Sequence, residues 1–308
     1  MVYLEKFIFP DLESDTINDG KGHFFNNTYP FHLTSNMELW SLDFEPITIL
    51  FGGNGSGKST ILNVIAQKLY ANRLSMFNTS YCFDEYVDIC QYRASKSLAG
   101  ETIYNGHREL QKYDISKITT VLTSDDIFHM MQEHRLENDR KLQKSRFLKD
   151  DYYNPESLPI HLNLETGYNV ERYIKGVEAR NAKSFSKYLQ QSLGEIERGF
   201  SNGETALMKL NEVLNKPGLY LLDEPENSMS CEFQMKLKAI IEYLARHGNC
   251  QFVISTHSPF LLSMENAKIY NLDHIPVSVC KWWGLESMRH YYQLFEGAKG
   301  HFEKRKKE

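Results

Sequence analysis

Between Phe51 and Thr60 the chain reads FGGNGSGKST, with four residues between Gly52 and the run Gly57-Lys58-Ser59. This is the spacing of a phosphate-binding P-loop. Its glycines permit a tight turn whose backbone N–H groups point at phosphate oxygens. The Lys58 ammonium can reach the β- and γ-phosphates, and the Ser59 hydroxyl can bind magnesium. Gly52, Gly53, Asn54, Gly55, Ser56, Gly57, Lys58, Ser59 and Thr60 are therefore expected to hold a nucleoside triphosphate.

Such a loop works between a strand and a helix, where the helix N-terminus faces the phosphates. Ile47-Thr48-Ile49-Leu50-Phe51 is an apolar, β-branched run suited to a buried parallel strand. After Ser59, the residues Ile61, Leu62, Ile65, Ala66 and Leu69 recur at helical spacing. Other groups lie where strands end. Gly218–Asp223 is an apolar strand that runs into Asp223-Glu224. Asp223 would hold magnesium through water or Ser59, and Glu224 would orient or deprotonate an attacking water. His257 follows the strand Gln251–Ser255, on the ligand side of an open α/β sheet, and could hydrogen-bond the γ-phosphate. Phe200-Ser201-Asn202-Gly203-Glu204 offers a hydroxyl and glycine amides before a helix, another anion-binding element, but taken alone it reads first as a helix cap, Ser201 or Asn202 followed by Glu204.

The bulk numbers describe an ordinary globular chain: 308 residues, 41% hydrophobic and 24% charged, long enough for a full core. A net charge of −5 argues against a generally basic nucleic-acid binder but leaves room for a local patch. The five cysteines form no CxxC pair and read as thiols in a reducing compartment. No apolar run approaches the length of a membrane span and no signal peptide opens the chain, so a cytoplasmic protein is expected.

Along the chain, Val2–Phe9 and Met37–Phe44 alternate as strands, Asp11–Pro30 reads as a long polar loop, and Ile118–Leu122 is another β-branched strand. Tyr81–Tyr92 suggests short strands, and Asn105-Gly106 a turn. From residue 127 to 198 the β runs stop, and helical spacing and charge take over, with basic runs Arg140, Lys141, Lys144, Arg146, Lys149 and Arg172, Lys175, Arg180, Lys183, Lys187. No sustained heptad marks a long coiled-coil arm. Strand–helix alternation resumes with helices at Gly203–Leu214 and Cys231–Ala245, strands at Lys268–Leu272 and Val277–Cys280, and a last helix at Leu285–Phe295. The expectation is an α/β fold with a mostly parallel sheet and flanking helices, its core split into 1–126 and 199–308 by a largely helical insertion at 127–198.

Taken together, these segments resemble the ABC-type ATPase superfamily of P-loop NTPases. GGNGSGKST looks like its Walker A, Phe200–Glu204 like its signature motif, LYLLDEPE (Leu219–Glu226) like its Walker B, Asn227–Ser230 like its D-loop, and His257 in ISTHSPFLL like its H-switch. DEPE and STHSPFLL are closer to the RecF, SMC and OLD-like branch of DNA-maintenance and defence ATPases than to transporter subunits, and the whole chain resembles small bacterial AAA-family ATPases. The resemblance implies a homodimer sandwiching two ATP and magnesium ions, with Ser201 and Gly203 of one copy reaching the γ-phosphate held by the other. Where the family carries a glutamine beside the helical lobe, this chain offers Asp125 or Asp126 as a magnesium or water ligand, with Gln91 a weaker alternative. Two roles follow. One is an ATP-gated switch on DNA with a separate nuclease or effector, supported by the basic runs with Tyr152, Tyr153, Tyr173 and Tyr188 nearby. The other is an ATPase engaging a membrane transporter or a protein partner.

Overall fold

The computed structural model describes residues 1–11, 29–95, 99–104, 107–112, 114–154, 158, 170–182, 184–193, 202–227 and 229–304. In chain order the strands and helices are β1 (Leu4–Ile8), α1 (Leu33–Asn36), β2 (Ser41–Asp43), β3 (Ile47–Phe51), α2 (Lys58–Lys68), α3 (Phe83–Ile89), β4 (Gln91–Ala94), β5 (Ala99–Tyr104), β6 (His107–Lys112), β7 (Thr119–Thr123) and α4 (Ser124–Tyr153). They continue with α5 (Val170–Asn181), α6 (Phe185–Leu193), α7 (Asn202–Val213), β8 (Gly218–Asp223), α8 (Cys231–His247), β9 (Cys250–Ser255), α9 (Pro259–Leu262), β10 (Lys268–Asn271), β11 (Ser278–Cys280), α10 (Glu286–Gly297) and α11 (Lys299–Lys304).

The main sheet has the order β11-β10-β3-β9-β8-β7. Its inner pairings are parallel, and β11 is an antiparallel edge. The pattern is that of a P-loop NTPase: β3 leads through a glycine turn into α2, and β9 lies between β3 and the acid-bearing β8. All five residues of β3 and the first five of β8 are buried, which explains why both read as continuous apolar runs rather than alternating ones. One face of the sheet packs on α2 and α3 in a core that includes Leu50, Ile61, Leu62, Ile65, Phe83, Tyr86, Leu219, Leu221 and Val253.

Two strand expectations need correction. Met37–Phe44 yields only β2, because Glu38 takes a left-handed backbone (φ 50°) that breaks the extended run. β2 pairs antiparallel with β1, and β1 with β4, in a separate three-stranded sheet. Tyr81–Tyr92 is mostly helix α3: Phe83, Tyr86, Val87 and Cys90 are buried at helical spacing, a period the strand reading overlooks. The Asn105-Gly106 turn and most of the Asp11–Pro30 loop lie outside the described residues.

The fully buried Gln251 side chain ties the two sheets together. It accepts from Tyr3 N (2.7 Å) and Leu4 N (2.8 Å), and donates to Leu4 O (2.8 Å) and Glu45 O (3.3 Å).

Chain contacts divide the molecule into two compact units, residues 1–127 with 206–308, and residues 128–205. The second unit is helical in its described parts and has its own small core of Leu148, Ala179 and Tyr188, with Tyr152, Phe185, Leu189 and Leu193 packed on it. Tyr188 is fully buried and stacks on the partly buried Tyr152 at 5.7 Å, so the Tyr188 ring builds that core and offers no face to a nucleic-acid base. Arg140, Lys144, Arg146 and Lys149 are exposed along α4, while Lys141 pairs with Glu137 at 3.1 Å.

Replacing Gln251 with leucine removes the acceptor shared by Tyr3 N and Leu4 N and the donor to Leu4 O, while Glu45 O keeps the Thr48 hydroxyl. Urea denaturation should show a loss of about 2–4 kcal/mol, with nucleotide affinity unchanged.

Candidate functional site

In the larger unit, the groups with catalytic chemistry lie just beyond the carboxyl ends of the parallel strands, where an open α/β sheet binds its ligands. The P-loop follows β3, Asp223-Glu224 closes β8, His257 follows β9 and Asp125 follows β7. The register sets this out. Thr123 pairs with Asp223, Asp223 with Ser255, and Ser255 with Leu50, a continuous line across four strands.

The P-loop is built for an anion. Gly57 caps α2 at φ 85° with no side-chain cap, so the first amides of an eleven-residue helix stay available. A side chain at Gly57 would be strained by that φ and would meet Leu33 at 3.0 Å; one at Gly52 would collide with Ser56 Oγ. Lys58 is buried and curls back over its own loop, with Nζ donating to Gly52 O (2.9 Å) and Gly53 O (3.0 Å). Asp273, from the segment after β10, accepts from Gly53 N at 2.7 Å. Nothing in the local sequence pattern flags that hydrogen bond.

Asp223 accepts hydrogen bonds from the Ser255 and Ser59 hydroxyls. Burial nevertheless pushes its pKa up, and the two hydroxyls and Lys58 only partly oppose this. A buried carboxylate beside a hydroxyl is a pair of hard oxygen donors, which fits magnesium. Among the described residues no three His, Cys, Asp or Glu side chains are grouped to hold a metal by themselves. A magnesium at Ser59 and Asp223 would complete its shell with phosphate oxygens and water.

Glu224 sits at φ 47°, an unusual backbone for a non-glycine residue that costs on the order of 1–3 kcal/mol. Its amide is held by Ser255 O (3.1 Å) and Ser255 Oγ (3.2 Å). Its Oε1 lies 3.9 Å from Lys58 Nζ and 3.2 Å from His257 Nε2, close enough for an ion pair although the imidazole is out of line for a hydrogen bond. Its Oε2 accepts from Asn227 Nδ2 at 3.2 Å. The structure thus brings Lys58, Glu224 and His257 to one point.

Other expected residues fall differently. Asp126 is buried, and its Oδ2 accepts from Thr123 N (2.8 Å) and Thr123 Oγ1 (2.9 Å), which makes it the cap of the β7–α4 junction. Asp125 is exposed in the first turn of α4. Gln91 is exposed at the start of β4, in the other sheet. Gly203 lies buried in the first turn of α7, within the helical unit, and the neighbouring Asn202 accepts from Arg135. Ser201 lies outside the described residues.

A cavity of about 630 Å³ opens on the P-loop. Asn54, Gly55, Gly57, Lys58, Ser59, Thr60 and Glu224 line one wall, and Tyr29, Pro30, Phe31, His32, Leu33 and Asn36 the other. The second wall was not legible as a site, although the run Tyr29-Pro30-Phe31-His32 concentrates rings that could cover a nucleobase.

A family model described as "AAA domain, putative AbiEii toxin, Type IV TA system" matches residues 205–263. That span holds the acids after β8 and His257. An uncharacterized ABC transporter ATP-binding protein/permease of Saccharomyces cerevisiae is 23% identical over 234 residues, 74% of this chain. A probable ATP-dependent transporter of Cyanidium caldarium is 24% identical over 250 residues, 79% of this chain. The chain spans 15% of the yeast relative's length and 82% of the algal one's. Among solved structures, a Smc head domain from Pyrococcus furiosus, bound to the C-terminal domain of ScpA, superposes with TM-score 0.36 at 12% identity, covering 96% of this chain and 100% of that one. That overlap is too slight to bear on function. The family model and the curated relatives support an ABC-type P-loop ATPase. No described helix is long and apolar enough to cross a membrane.

Asp223 yields a pH-signed expectation. Its folded pKa is raised, so between the ordinary carboxylate value and that raised value the folded chain keeps a proton that the unfolded chain releases. Stability falls as pH rises through that window, and the cost persists above it. Asp223→Asn should therefore raise the nucleotide-free melting temperature at pH 7 and narrow its gap to the wild type at acidic pH. The same variant should lose the extra stabilisation that magnesium adds to ATP in a thermal-shift titration.

Proposed function

We propose that this chain is an ATP-hydrolysing switch whose two copies close on ATP and separate after hydrolysis. The observation that carries the reading is the meeting of Lys58 Nζ, Glu224 Oε1 and His257 Nε2 beside an uncapped helix N-terminus. The amides from Gly53 to Thr60 would cradle the phosphates, and Lys58 would exchange its own loop carbonyls for β- and γ-phosphate oxygens. Ser59 and Asp223 would hold magnesium, which would neutralise phosphate charge. Glu224 would then turn from Lys58 to the attacking water and accept its proton, while His257 donates to the γ-phosphate. The wall of Tyr29–Asn36 would cover the base and ribose. Ser201 and Gly203 of the partner subunit would complete the site, and Asp125 would contribute a magnesium- or water-facing carboxylate.

The working role we assign is DNA maintenance or anti-phage defence, with cleavage left to a separate nuclease or effector. The exposed cations along α4 support it, as do the DEPE and STHSPFLL variants. The names of the two curated relatives favour a second reading, an ATPase subunit engaging a membrane transporter.

Glu224→Gln should bind ATP, lose about 10²–10⁴-fold in turnover, and run as a dimer by light scattering at saturating ATP; a monomer there contradicts the sandwich. Charge reversal at Arg140, Lys144 and Arg146 should weaken DNA binding uniformly across sequences and lower its salt slope by about 1 for each phosphate no longer neutralised, with ATPase activity intact. Unchanged affinity would favour the transporter or protein-partner reading.

A further inference from the structure

Glu226 stands out among the side chains that the nucleotide chemistry does not use. It is buried, yet three donors from the loop after β9 converge on its Oε1: Thr256 Oγ1, His257 N (3.0 Å) and Ser258 N (3.2 Å). Its Oε2 is buried without a partner. Desolvation raises its pKa, so the protein bears a cost to keep a carboxyl here.

The hydrogen bonds continue in a ring. Ser258 Oγ donates to Gln234 Oε1 (2.7 Å), Gln234 Nε2 donates to Met229 O (3.0 Å), and Met229 N returns to Glu226 O (3.0 Å). Ser258 also caps α9 by accepting from Phe260 N (3.1 Å) and Leu261 N (3.2 Å). The ring therefore clamps the segment after Glu224 to the one carrying His257, and sets the distance between them.

We infer that Glu226 is a positioning residue for His257: by gathering Thr256 Oγ1 and the amides of His257 and Ser258 onto one oxygen, it holds the imidazole against Glu224 Oε1 and where a γ-phosphate would arrive. Reach is what the role requires, because the convergent donors need an acceptor at that point. A hydroxyl residue is too short and brings a proton of its own. The inference rests on the ATPase reading for its catalytic consequence, and on the geometry alone for the placement of the ring.

The test sets reach against charge. Glu226→Gln keeps the carbonyl oxygen in place and removes the charge; Glu226→Asp keeps the charge and withdraws the oxygen by one methylene, without opening the void that alanine would. Glutamine should retain turnover within about two-fold, whereas aspartate should lose about 10–100-fold in kcat with nucleotide affinity held. Added to His257→Ala, the aspartate change should cost nothing further, because both act through one group. The reverse ranking, or losses that multiply in the double variant, would overturn the inference. Nucleotide-free NMR supplies a readout independent of hydrolysis: the His257 ring signal should keep its wild-type position in the glutamine variant and shift or broaden in the aspartate variant. An inert wild type would overturn the ATPase reading, while an unmoved ring signal in the aspartate variant would overturn the positioning role by itself.

Discussion

Everything in the site depends on the register of the parallel sheet. Thr123, Asp223, Ser255 and Leu50 stand side by side across β7, β8, β9 and β3. Each strand therefore delivers its next residues to one edge: the glycine loop from β3, Glu224 from β8 and His257 from β9. Strand spacing puts β3 and β8 about 10 Å apart with β9 between them. Side chains from either end can meet over that gap, as Lys58 and Glu224 do at 3.9 Å. A one-residue slip of β8 would turn Asp223 to the other face and break its hydrogen bonds with Ser59 and Ser255.

The site concentrates electrostatic cost. Lys58 is buried, Asp223 and Glu226 are held with raised pKa values by burial, and Glu224 sits in a left-handed backbone. Each would be an odd choice for stability alone. Together they describe a pocket suited to charge of both signs: polyphosphate for the lysine and the helix amides, and a cation for Asp223. The core behind bears the burden, with β3 fully buried and Gln251 fastening the second sheet beneath it. Binding energy from the ligand would offset these costs.

Much of this was legible because strong local chemistry and periodicity agreed. The run ITILF, the glycine spacing and the apolar stripe of α2 all pointed to one strand–loop–helix unit, and the acid pair after GLYLLD could be placed from the strand alone. Less was legible where a residue's meaning comes from distant partners. In sequence Glu226 only marks the DEPE variant, and the donors of Thr256, His257 and Ser258 gathered on it are visible only in three dimensions. Asp273 shows its hold on Gly53 only in three dimensions. Asp125 and Asp126 look interchangeable in sequence, yet one is exposed and the other caps a junction. Of the tyrosines near the basic runs, Tyr188 has a different place: an aromatic at helical spacing serves a core as readily as a base, and Tyr188 serves the core while Tyr153 is exposed.

The central claim is that the Lys58 loop and the Asp223–Glu224 pair form one magnesium-dependent ATP site. Phosphate release by the purified chain, measured with magnesium, with excess chelator and in Lys58→Ala, tests it most directly. The account predicts turnover with magnesium and background levels in the other two conditions. Equal turnover in Lys58→Ala, or turnover indifferent to chelator, would contradict it.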